Sequence, residues 1–185
     1  MKVFESSIPE ILIVERQSFG DDRGLFMELF QSQRYATMGI EAAFVQDNFS
    51  RSRAGVLRGL HFQNPKPQAK LVTVLRGSVI DVAVDVRVGS STFGRHVKIE
   101  LNEANRRQLW IPSGFAHGYL VLSETADVFY KCDEFYSPSD EIVLRWDDPE
   151  IGIDWGCSSP IVSERDSSGK KLSELGSLLP AFSAP

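Results

Sequence analysis

The chain has little histidine and little cysteine: three of the first and two of the second in 185 residues. Cys132 and Cys157 stand apart with no C-x-x-C spacing, so neither a zinc knuckle nor a disulfide framework is expected. A reducing cytoplasm is the natural setting for such a chain. No apolar run approaches the roughly 20 residues of a membrane helix. Met1-Lys2-Val3-Phe4-Glu5 meets an acid almost at once and lacks the apolar stretch of a signal peptide. The formal charge of −5 leaves no basic excess for nucleic acid or an anionic membrane surface. No G-x-G-x-x-G follows a strand pattern, which removes the usual signal for a dinucleotide cofactor. Internal repeats and linkers are also missing. A single domain over residues 1–185 is expected, with about 177–185 as a weakly tied tail.

The positive signals are those of strands. Leu71 to Leu75 leads through Arg76-Gly77-Ser78 into a run where Ile80, Val82, Val84 and Val86 alternate. Val97, Ile99 and Leu101 alternate with Lys98 and Glu100. Leu109-Trp110-Ile111 runs into the Pro112-Ser113-Gly114 turn, and strands are expected at 119–122, 128–136 and 141–146. Turn signals every 8–12 residues or so point to an antiparallel sandwich or barrel. Helical signals are few: one from Ser32 to Met38, stopped by Gly39, and one near Lys170 to Leu175. The fold class is mainly β with a few short helices.

The densest chemistry lies in Gly55-Val56-Leu57-Arg58-Gly59-Leu60-His61-Phe62-Gln63 and in Gln68-Ala69-Lys70. An imidazole exchanges a proton near neutral pH. A lysine stabilises an oxyanion left by proton removal, and an arginine holds phosphate in its planar fork. Three arginines, Arg51, Arg53 and Arg58, crowd one short stretch of an acidic chain, which favours a local anion site. The segment reads as a place for proton abstraction from an anionic substrate. The ordinary alternative is a core histidine bonded to a backbone carbonyl, with Lys70 as an exposed strand residue.

These segments resemble the dTDP-4-dehydrorhamnose 3,5-epimerases, cupin-fold enzymes of deoxysugar synthesis. The likeness is carried by Asp22-Arg23-Gly24, Gln46-Asp47-Asn48, Gly55 to Gln63, Gln68 to Val72, and Gly77 through Asp85. It continues with Gln108 to Gly118, Tyr130-Lys131-Cys132 to Tyr136, Asp147-Asp148-Pro149 and Ser163-Glu164-Arg165-Asp166. It spans roughly residues 3–175 in the family's order. The resemblance implies a cupin jelly roll, a dTDP-sugar substrate and a homodimer. It implies epimerisation of dTDP-4-dehydro-6-deoxy-D-glucose at C3 and C5, giving dTDP-4-dehydro-L-rhamnose for surface polysaccharide.

It also implies roles. His61 would be the general base and Asp166 its orienting carboxylate. Lys70 would face the C4 ketone oxygen, and Tyr130 would return a proton from the opposite face. Strand alternation sets Tyr130 inward and Lys131 toward solvent. Tyr136 would stack on thymine. Arg23 and Arg58 would hold the diphosphate and substrate, with Glu28, Gln46, Asp47, Asn48, His117 and Glu141 around the sugar and nucleoside. Arg165 stands where the family often carries lysine, which keeps the charge and turns a point contact into a fork.

No cofactor is expected, because epimerisation leaves the oxidation state of the sugar unchanged. No metal is expected either: where metal cupins carry His-x-His, this chain has His61-Phe62-Gln63. The rivals are an epimerase acting at one carbon of a related keto sugar, a non-catalytic sugar-binding cupin, and a metal-dependent cupin oxygenase. The apolar segment Glu10 to Glu15 suits a strand at a subunit boundary.

Overall fold

The β-branched runs form strands. They are β1 (Lys2–Glu5), β2 (Leu12–Glu15), β3 (Ser18–Asp21), β4 (Gly24–Met27), β5 (Gln46–Arg53), β6 (Leu57–Gln63) and β7 (Lys70–Arg76). β8 (Ser78–Asp85), β9 (His96–Asn102), β10 (Arg107–Ile111), β11 (Phe115–Val121), β12 (Thr125–Cys132) and β13 (Glu141–Val143) follow. The helices are short: α1 (Ser32–Ala36), α2 (Glu164–Ser167) and α3 (Leu172–Leu175). This is a computed structural model, and it describes residues 1–182.

Two antiparallel sheets face each other. One has the order β1-β2-β10-β7-β12-β5, the other β13-β6-β11-β8-β9, while β3 and β4 form a separate hairpin. The alternation in β8 explains how the layers stack. Val79 and Ala83 join Val72, Val74, Leu109, Phe115 and Val128 between the sheets. Val82, Val84 and Val86 face the other way, against Leu57, Leu60, Trp155, Leu172 and Leu175. A third cluster, Val14, Tyr35, Leu71 and Trp110, closes the outer face of the six-stranded sheet. Truncating a buried leucine in such a core costs about 2–5 kcal/mol.

Glycine decides how closely β6 and β11 approach. A Cβ on Gly118 would stand 2.6 Å from the Arg58 carbonyl oxygen, and one on Gly59 would stand 2.6 Å from the Gly118 Cα. Only paired glycines allow that contact. It sits beside the irregularity in β11 between His117 and Tyr119, and it sets His117 directly across from His61.

The structure differs from the sequence expectations at several places. The helix expected from Ser32 is capped by Gln31, whose side chain accepts the Arg34 N–H. The helix α2 was not anticipated. Lys131, expected in solvent, lies over the rings of Phe30, Phe44 and Phe129 and pairs with Asp47 at 2.7 Å. The outer face of β12 is therefore partly covered by residues preceding β5. Part of the expected loose tail is tied down: Val88 donates to the Pro180 carbonyl and accepts from Phe182. Residues 183–185 lie outside the described residues.

Candidate active site

The cavity between the sheets gathers side chains from both. About 380 Å³ is lined by Asn48, Arg58, His61, Lys70, His117, Tyr119, Tyr130, Arg165 and Asp166 among others. A second space of about 270 Å³, lined by Gln46, Gln68, Tyr136 and Glu141, shares Asn48, His61, Lys70 and Tyr130 with the first. The two spaces thus adjoin across these four shared side chains.

His61 Nε2 and Asp166 Oδ1 are 2.7 Å apart. The other carboxylate oxygen accepts the Gly59 N–H at 3.2 Å. Asp166 is held in place by the start of α2: Ser163 caps the helix and accepts the Asp166 N–H at 3.0 Å. Burial pushes the Asp166 carboxyl up, but the His61 contact and the bonds from Gly59 and Ser163 outweigh it and hold the carboxyl below its ordinary range. An ionised carboxylate on one ring nitrogen fixes the imidazole's orientation. Glu141 lies 3.8 Å from His61 Nδ1.

Lys70 is buried, and its Nζ donates to the His61 carbonyl at 3.5 Å. Burial lowers its ammonium pKa, while Cys132 and Asp81 pull it back up. Tyr130 reaches in from β12, in the sheet opposite His61. Burial pushes its phenol up to about 12, so it keeps its proton at neutral pH. A base with an orienting carboxylate, a buried cation and a protonated phenol thus line one cavity. Proton removal, oxyanion stabilisation and proton return are each provided for.

The rim holds the rest. Tyr136 donates to Glu141 at 2.8 Å, and Arg165 pairs with the same carboxylate. The Tyr136 N–H bonds the Gln46 side chain at 2.9 Å, and Gln46 donates to Asn48 at 3.0 Å. Arg58 donates to Ser52 at 3.0 Å. His117 is buried, with Nε2 at 3.0 Å from both oxygens of Asp81.

Three residues named from the resemblance stand away from this cavity within the chain. Asp47 turns outward to Lys131. Glu28 pairs with Arg34 at 3.1 Å. Arg23 sits on the β3–β4 hairpin with its side chain 89% exposed and pairs with Asp21. Residues that sequence reasoning missed include Asp81, Ser163 and Tyr119, whose hydroxyl is 2.7 Å from Ser50. A Ser-x-x-acid spacing was present for Ser163 and Asp166. Nothing local marked the other two. Gln63 spends its amide on the backbone of Lys66, Phe135 and Ser137, which anchors the loop carrying Tyr136.

Fold and cavity together define a jelly-roll protein of the cupin type, with acid–base side chains in the space between its sheets. The family model for dTDP-4-dehydrorhamnose 3,5-epimerase matches residues 5–174. The dTDP-4-dehydrorhamnose 3,5-epimerase of Shigella flexneri is 48% identical over 174 residues, covering 93% of this chain and 96% of that protein. The crystal structure of the Legionella pneumophila dTDP-6-deoxy-D-glucose-3,5-epimerase, in complex with dTDP-4-keto-L-rhamnose, is 48% identical with a TM-score of 0.96. It covers 99% of each chain. A 3′-monoepimerase from Streptomyces bikiniensis, in complex with dTDP-quinovose, is 30% identical with a TM-score of 0.89, covering 96% of this chain and 92% of that one. This chain belongs to the dTDP-4-dehydrorhamnose 3,5-epimerase family. It is an isomerase by that membership.

Proposed function

We propose that the protein converts dTDP-4-dehydro-6-deoxy-D-glucose to dTDP-4-dehydro-L-rhamnose by epimerising C3 and C5. The observation that carries this reading is His61 on one sheet, paired with Asp166 of α2, and the Tyr130 phenol on the other sheet, around a cavity that also holds Lys70. His61 takes the proton α to the C4 ketone, and Asp166 stabilises the imidazolium. Lys70 stabilises the enolate oxygen, which makes the neighbouring C–H acidic enough to lose. Tyr130 returns a proton to the opposite face, as inversion requires. Arg58 and Arg165 supply the positive charge that a diphosphate needs, and Tyr136 offers its ring to the base.

The test is solvent deuterium incorporation on the keto-sugar nucleotide. Label at both C3 and C5 with L-rhamno product supports the reading; an active preparation that exchanges neither carbon refutes it. Label and inversion at one carbon would favour a single-site epimerase, a reading supported by the similarity to the Streptomyces bikiniensis protein. A non-catalytic binder would hold the nucleotide without exchange.

The homodimer and the position of Arg23 belong together. The β3–β4 hairpin leaves Phe19, Leu25 and Phe26 exposed, Phe26 by 71%, beside Arg23. An apolar hairpin of this kind is stable in water when a partner covers it, and Arg23 would then serve as a ligand in the assembled dimer. Light scattering should give twice the 20.7 kDa of one chain. A single species at 20.7 kDa would remove this part of the reading. A cytoplasmic setting and a single domain complete the proposal. No helix among the described residues is long and apolar enough to cross a membrane.

A further inference from the structure

The hydroxyls on the cavity face of β5 hold side chains of the opposite sheet. In β5, Asn48, Ser50 and Ser52 point inward, while Phe49, Arg51 and Arg53 point outward. Ser52 is buried and lies in register with Ala126, so the neighbour that faces it across β12 is apolar. Its Oγ accepts the Nε–H of Arg58, from β6, at 3.0 Å. Tyr119, the register partner of Arg58 on β11, has its hydroxyl 2.7 Å from that of Ser50. Two serines on one sheet thus hold two adjacent side chains of the other.

We propose that Ser52 is a positioning residue for Arg58, setting its guanidinium to take the substrate's diphosphate through the two terminal nitrogens. The inference rests on the reading of Arg58 as an anion ligand and adds the residue that aims it. A guanidinium meets an oxyanion either side-on, through Nε and one Nη, or end-on, through both Nη. With Nε occupied by Ser52, the end-on edge is left for the ligand. Serine suits this place because its hydroxyl accepts a hydrogen bond without carrying charge. An aspartate at position 52 would form an ion pair and neutralise the cation. An alanine would leave the long side chain free to turn.

Two guanidinium groups line the cavity, and their states differ. Arg165 pairs with Glu141 and donates to the Tyr136 hydroxyl at 3.5 Å. Arg58 makes no ion pair among the described residues, and its bond to Ser52 is with a neutral group. Its charge is therefore unneutralised while its direction is fixed, which is the combination that recognition of a dianionic diphosphate requires.

The experiment measures the affinity of dTDP by calorimetry, with kcat and KM of epimerisation, for wild type, Ser52→Ala, Ser52→Thr and Arg58→Met. Ser52→Ala should weaken dTDP and raise KM by about fivefold to tenfold, the size of one hydrogen bond to a charged group. Its kcat should change less than about twofold, because the diphosphate is held equally before and during reaction. Ser52→Thr keeps the hydroxyl and should stay within about twofold of wild type in both. Arg58→Met should bind dTDP about 10²-fold more weakly, and in that background Ser52→Ala should do nothing further. Thymidine, which has no phosphate, should bind Ser52→Ala and wild type alike. If alanine prevents folding, as thermal unfolding would reveal, Ser52→Cys provides the same comparison with a weaker acceptor.

Wild-type affinity for dTDP in Ser52→Ala would overturn the inference. So would an equal loss in Ser52→Thr, an equal loss for thymidine, or a further loss in the Arg58→Met background, since each reports packing alone. If Arg58→Met binds dTDP as wild type does, the reading of Arg58 as an anion ligand fails, and the inference with it. If wild type binds dTDP yet inverts neither carbon, the epimerase reading fails by itself, because calorimetry on dTDP needs no turnover.

Discussion

His61 and Asp166 are 105 residues apart in the chain and 2.7 Å apart in the fold. Asp166 reaches the imidazole from the first turn of α2, which lies against β6. Asp166→Asn keeps the shape and removes the charge. It should lower kcat by on the order of 10³-fold or more with little change in KM, because tautomer control and imidazolium stabilisation are lost together. Steady-state kinetics on the keto-sugar nucleotide decide this. A kcat within tenfold of wild type would take Asp166 out of its role.

Tyr130→Phe removes the acid and leaves the base. Proton abstraction by His61 should continue, so solvent deuterium should still enter the recovered starting sugar, while inversion falls by about 10²-fold or more. NMR of product and recovered substrate separates the two events. Loss of exchange and inversion in step would place the phenol elsewhere in the reaction.

With Lys70 stabilising the enolate as proposed, the rate should have an alkaline limb. The lysine's pKa is lowered, chiefly by burial, so the cation is lost at a pH below that of an ordinary lysine. The rate should therefore fall as pH rises through that shifted value. Lys70→Met should lose about 10²–10³-fold in kcat, as expected for removal of one oxyanion-stabilising donor. A pH–rate profile flat up to the ordinary lysine range would contradict the assignment.

Asp85 holds the turn after β8. Burial raises its carboxyl, but bonds from Arg87, Ser90 and Thr92 lower it further, to a net value below the ordinary range. A depressed folded-state pKa stabilises the fold above the unfolded carboxylate value, and that contribution disappears as pH falls through the folded one. Stability in urea should thus decline below about pH 4. Asp85→Ala, which leaves the largely buried Arg87 guanidinium with only the half-exposed Glu10 as its ionic partner, should cost about 3 kcal/mol at neutral pH. A shift in urea midpoint smaller than a third of that would refute the account.

The strand pattern was legible because its physics is local. Alternation at Ile80, Val82, Val84 and Val86 answers to one packed face, and that face is buried as expected. The intervening positions were harder. Asp81 and Asp85 have the look of solvent-facing residues, yet both are fully buried. The jelly roll packs both faces of β8, and the inward face meets His117 and Arg87. Lys131 is the reverse case, a charge on an outward face that a neighbouring segment covers with aromatic rings.

By itself the sequence determined the β architecture, the family, and the residue types able to move a proton: His61, Lys70 and Tyr130. These follow from periodicity and from motifs a few residues long. Only the tertiary structure decided which carboxylate serves which imidazole, Asp166 for His61 and Asp81 for His117. It also decided that Cys132 stands beside Lys70 while Asp47 turns away. The physical reason is range: propensity and alternation act over a few residues. Contacts across two facing sheets depend on register, twist and the Gly59–Gly118 approach, which no short stretch of chain encodes.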